Sequence, residues 1–156
     1  MNDKIRSYQR VASKYKWDYQ NVEHELADNL EELAKLSRTC NRLSAELEGL
    51  LSIDSQHSEQ QSIDPQRAQS VLWLAASLNE KLVDYRRLYH QQAARVVKLR
   101  KKLLQARTRR DKSKDKAQSA VVDFHKQREE KELDEIADRF VGRLHKQNTV
   151  AHGNLS

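Results

Sequence analysis

The side chains able to ligate metals or attack electrophiles are few and scattered. Histidines stand at 24, 57, 90, 125, 145 and 152, and one cysteine, Cys40, lies among them. A structural zinc site needs His and Cys at short, repeated spacings, and no two of these residues are so spaced. The chain has no Gly-rich phosphate loop, no G-x-S-x-G elbow and no Cys/His pair. One cysteine makes no disulfide framework and fits a reducing cytosol. The expectation is a protein without catalytic residues, metal or cofactor, and not an enzyme.

The chemistry that remains is ionic. The run RVVKLRKKLLQARTRRDKSKDK (95–116) holds eleven Lys/Arg against two Asp, a surplus of nine, while the whole chain is at +6, so the remainder is at −3. Arg95, Lys98, Arg100, Lys101, Lys102, Arg107, Arg109 and Arg110 form a candidate basic patch, because clustered charge steers acidic partners. A solvated helical face is the plainer reading. A basic-zipper DNA reader places its basic region before its heptads, and here it follows them, so no specific nucleic acid is expected. The run lacks aromatics, which argues against membrane insertion and leaves only weak surface attraction.

These charges need elements to carry them, and the composition allows one kind. The chain of 156 residues is 37% hydrophobic and 33% charged with three Gly and one Pro. Strands and turns need more breakers than that, so long helices are expected. Counting from Ile5, heptad positions a and d run through Tyr8 and Ala12 to Leu47 and Leu50. Thirteen of these fourteen are apolar or aromatic, and the exception is Asn29. Agreement over seven heptads argues coiled coil, and a polar seam residue can set register.

Gly49 and the polar run after it carry no seam, which predicts a first helix over about 2–50 and a loop over 52–64. Asp64-Pro65 reads as the cap and first turn of a second helix over about 65–142. Its seam runs from Ala68 and Val71 to Leu103 and Ala106. It weakens at Arg110 and Ser113 before Ala117, Ala120 and Phe124. The fold class is all-α: two long helices in an antiparallel coiled-coil hairpin, the second longer and overhanging. At 1.5 Å per residue the helices would span about 75 and 115 Å. A turn near residue 58 would place Ile5 near Asp111 and leave the chain unpaired beyond about Lys112. Residues 1–147 then form a single hairpin, and 148–156 a disordered tail. No run of 18 apolar residues exists to span a membrane. The opening MNDKIRSYQR has no signal-peptide core.

The stretch VLWLAASL (71–78) exceeds what a seam needs. Val71, Ala75 and Leu78 lie on it, whereas Leu72, Trp73 and Leu74 fall at e, f and g. Trp17 also falls at an outward f position. Past the basic run, Leu133, Ile136, Phe140 and Leu144 add apolar surface to the overhang.

The segment KQREEKELDEIADRFVGR (126–143) resembles the end of the second helix in the FliJ family of bacterial type III protein export, related to the YscO-type injectisome stalks. Arg128 to Ala137, and then Arg139, match its "reE-kelDEia-R" signature. The resemblance covers most of the chain in size, hairpin layout and basic middle. It implies a non-enzymatic cytoplasmic stalk serving flagellum biogenesis and motility, shaped like the central γ subunit of rotary ATPases. It also implies that the end holding both termini sits in a hexameric export ATPase ring, with Trp17, Lys131, Asp134, Glu135, Arg139 and Phe140 facing the ring. The start of helix two would contact the export gate FlhA through Trp73, Leu74, Leu78, Lys81 and Tyr85, although Leu78 and Tyr85 are also seam positions. Export chaperones are further implied partners. The protein would be peripheral to the inner membrane through the export apparatus, and monomeric when free. The rival readings are a generic coiled-coil adaptor or oligomeric spacer, and, with less support, a basic nucleic-acid-binding coiled coil.

Overall fold

The structure, a computed structural model, describes residues 3–58 and 64–153. It contains two helices, α1 (Asp3–Ser58, 56 residues) and α2 (Pro65–Gly153, 89 residues). They form an antiparallel coiled-coil hairpin in which α2 is the longer and overhangs. Among the described residues no helix is long and apolar enough to cross a membrane.

Helix α2 begins where its sequence signal lies. The Asp64 carboxylate (Oδ1) accepts a hydrogen bond from the backbone N–H of Gln66 at 3.1 Å, and the Asp64 carbonyl accepts from Ala68 N–H at 3.1 Å. Asp64 is thus the cap, and Pro65 occupies the first-turn position where its missing N–H costs nothing.

Both helices run past their expected ends. Helix α1 continues through Gly49 to Ser58, over the first part of the expected loop, and α2 continues through Gly142 to Gly153, into the expected tail. The physical reason is that losing a seam does not stop a helix. Propagation is nearly neutral once a helix is nucleated. A sharp stop commonly uses a left-handed residue or a proline, and among the described residues no φ is positive. The remainder of the expected loop, 59–63, and the last residues of the tail, 154–156, lie outside the described residues.

The chain divides into two compact units, each taking a stretch from both helices. One comprises Asp18–Arg107; the other holds the chain up to Trp17 and from Thr108 onward. In the Asp18–Arg107 unit, Leu26, Val96 and Leu99 form a buried cluster, with Leu33 and Leu103 packed against it. Val22, Leu43 and Leu82 are buried there too. In the other unit the buried residues are Ile5, Ala117 and Ser113, whose hydroxyl donates to the Arg110 carbonyl at 2.9 Å. Every one of these buried residues occupies an a or d position of the seams read from the sequence. Among the described residues no large side chain is wholly shielded, because a layer of two helices leaves each residue a solvent side.

Register is fixed by a polar contact inside the seam. Gln92 Nε2 donates to Asn29 Oδ1 at 2.7 Å and to the Asn29 carbonyl at 3.2 Å, while Asn29 Nδ2 donates to the Glu25 carbonyl at 2.8 Å. This pairing corrects the expected register. Ile5 lines a groove with Lys116, Ser119 and Ala120, not with Asp111. Asn29 facing Gln92 sets the partners about five residues further along α2 than expected, so α1 covers α2 to about Phe124 rather than Lys112. From His125 to Gln147 every residue is exposed.

Candidate partner-binding surfaces

At the start of α2 the surplus apolar residues face outward. Trp73 is 72% exposed, Leu72 65% and Leu74 51%. Their e, f and g positions turn them away from α1, so folding leaves them uncovered. Leu78 is half-buried on the seam, Lys81 is exposed, and Tyr85 is just exposed despite its seam position. Trp73, Leu74, Lys81 and Tyr85 are therefore accessible from solvent, whereas Leu78 belongs mainly to the hairpin. Leu88, 44% exposed, is a residue that sequence reasoning missed. It extends the line Leu74–Lys81 by one further heptad, and that spacing was the available signal.

Trp17 is exposed on α1, as its f position predicts. On the overhang, Lys131, Asp134, Glu135, Arg139 and Phe140 are all exposed. Arg139 Nη2 lies 3.9 Å from Glu135 Oε2, and Arg128 Nε donates to Glu132 Oε1 at 3.0 Å. Such exposed i,i+4 pairs add little to stability. They leave an apolar stripe beside them: Leu133, Ile136, Phe140 and Leu144 are exposed at spacings of three, four and four. The stripe is out of phase with the hairpin seam. Continuing that seam beyond Phe124 gives Gln127, Lys131, Asp134 and Asp138, all polar. Leu133 and Phe140 each stand two residues past a seam position, about 200° further around the helix. The overhang thus presents its apolar face on the side turned away from the seam.

Within the Asp18–Arg107 unit, Arg95, Lys98, Arg100, Lys101, Lys102 and Arg107 are all exposed. Two apolar residues missed in the sequence stand among them, Val97 and Leu104, each 64% exposed and one heptad apart. In the other unit Arg109 is exposed, but Arg110 is half-buried on the seam, with Nε and Nη2 both 2.9 Å from Asp111 Oδ1. That ion pair compensates the Arg110 charge and takes it out of the patch.

No group of three or more His, Cys, Asp or Glu among the described residues is placed to hold a metal. Cys40 is a half-buried free thiol on the α1 seam. The Lys35 ammonium is held above the ordinary lysine range by its hydrogen bond to Glu32 and then by Glu31. It lies on an exposed face of α1, and none of the candidate residues contributes to its shift. Two grooves open between the helices near the start of α1. The larger, of about 830 Å³, is lined by Ala12, Ser13, Ala117, Val121 and Val122. It exists because small side chains in both helices leave the seam thinly filled. The surfaces described are suited to binding other macromolecules through apolar and ionic contacts. Comparison of the chain with protein-family models, with curated proteins and with solved structures finds no match.

Proposed function

We propose that this chain is a non-enzymatic cytoplasmic stalk of a bacterial type III protein export apparatus of the flagellar kind. In this reading the overhang of α2 enters the hexameric export ATPase and stimulates it. The exposed start of α2 meets the export gate FlhA, and the chain also escorts export chaperones. Its place is peripheral to the inner membrane, through the apparatus alone.

The observation that carries the reading is the unpaired, helical overhang with Leu133, Ile136, Phe140 and Leu144 uncovered. It bears the 128–139 segment that resembles the FliJ signature. An isolated helix gains nothing by displaying such residues, whereas an apolar stripe is a common docking element for a partner groove. The separate apolar group at Leu72, Trp73 and Leu74 supplies a second contact, as a protein bridging two partners needs.

The test is to add the purified chain to the cognate export ATPase and follow ring assembly and ATP turnover. Both should rise, and Leu133→Ala with Phe140→Ala should remove most of the effect. Assembly and turnover unchanged by the wild-type chain would refute the stalk reading and leave the generic adaptor.

A further inference from the structure

We propose that the overhang of α2 pairs, antiparallel, with the overhang of a second copy of this chain, through Leu133, Ile136, Ala137, Phe140 and Leu144. The inference goes beyond the export reading and does not depend on it.

It rests on the distribution of charge about the stripe. Residues 129–135 hold Glu129, Glu130, Glu132, Asp134 and Glu135 with the single base Lys131, whereas 139–146 hold Arg139, Arg143 and Lys146 and no acid. The overhang is therefore acidic along its first half and basic along its second. Two parallel copies would set acid against acid and base against base. Two antiparallel copies set each acidic half beside the other's basic half, and complementarity of that kind selects orientation. A twofold pairing is self-complementary, as an isologous interface requires.

Side-chain size agrees with the same alignment. Setting Leu133 opposite the second copy's Leu144 sets Phe140 opposite Ala137. A large ring then meets a methyl group, and facing positions that alternate large and small interdigitate without a void. Glu129 and Glu132, on the same flank of the stripe as Arg143 and Lys146, come beside the second copy's Lys146 and Arg143. The existing Arg139–Glu135 and Arg128–Glu132 contacts run along one helix and are exposed, so each is weak and exchangeable and does not oppose the pairing. Because the stripe is turned away from the seam, a second copy docks without displacing α1. About four turns of overlap fall short of a standard interface of roughly 1,600 Å², so the pair is weak and concentration-dependent. The free chain is then a monomer only when dilute, which departs from the monomer expected above. Self-pairing also covers the face that any other partner of the overhang would use.

Sedimentation equilibrium of the full chain across micromolar to millimolar concentrations tests this. The apparent mass should climb from 18.3 kDa toward twice that value. Leu133→Ala with Phe140→Ala should weaken association on the order of a hundredfold and leave the melting temperature unchanged, since neither residue belongs to a hairpin core. Arg143→Glu with Lys146→Glu should abolish pairing by making both halves acidic. Adding Glu129→Lys and Glu132→Lys to that same chain should restore it. A monomer at every concentration overturns the proposal. A dimer indifferent to the apolar pair, or one that the compensating reversal does not restore, overturns it equally.

Discussion

Gln92 and Asn29 show what one polar contact does inside an apolar seam. Their amides bond across the helices at 2.7 Å, and a hairpin slipped by one heptad would leave both without that partner. Asn29→Ala should cost about 1 kcal/mol in denaturant unfolding. Replacing both residues with Leu should raise the melting temperature while weakening the preference for a single register. Cross-linking between cysteines placed on facing positions would report the second effect, and a single retained register would contradict it. Leu26 belongs to the buried cluster, and Leu26→Ala should cost about 2–3 kcal/mol, the low end for a Leu that keeps a solvent side. Trp73→Ala with Leu74→Ala makes the contrasting case. Both residues are more than half exposed, so unfolding free energy should move by less than about 0.5 kcal/mol. Binding to the export gate domain should fall at least about tenfold if these residues are hot spots. A large loss of stability would make them core.

At the scale of the helices, glycine discriminates between the expected and observed ends. Gly49 sits within α1 at ordinary helical φ, and nothing lies within 4 Å of where its Cβ would stand. Gly49→Ala should therefore stabilise the hairpin by about 0.5–1 kcal/mol, read from thermal or denaturant melts. A loop glycine with positive φ would give the opposite sign. The same position explains which parts of the fold were legible. Among the described residues heptad phase located every buried one, from Ile5 to Ala117, because a two-helix layer buries only side chains that face the seam and have a partner across it. The Asp64-Pro65 start was equally readable, being a cap with its own side-chain chemistry. Helix ends were not, since α1 after Leu50 is held by backbone propagation that leaves no pattern in side chains. The register error follows directly: misplacing the end of α1 misplaced the turn, and with it the partner of Ile5. Of the candidate sites, outward positions such as Trp17 and Trp73 were legible from phase. The half-burial of Arg110 followed from its seam position, but its ion pair with Asp111 did not, because phase says nothing of how neighbouring side chains turn.

For the whole molecule, stability should be graded along each helix and absent from the overhang. Amide hydrogen exchange should be slowest around Leu26, Leu82, Val96 and Leu99, where the buried residues concentrate, and fastest over 128–147, where none are buried. Uniform protection of 128–147 in dilute protein would mean that the segment is covered by something in its own chain. The pairing of Ile5 with Lys116, Ser119 and Ala120 also carries a consequence for biosynthesis. The first turn of α1 is made before its wall, which follows more than a hundred residues later in the chain. At about 5–20 residues per second, Ile5 and Tyr8 spend some 6–22 seconds exposed before their neighbours exist. Residues near Leu50, close to the reversal, wait far less. The hairpin therefore closes from the inside out as it is made, and the first turn of α1, the last part of it to be sheltered, is where a holdase would find the longest opportunity to bind.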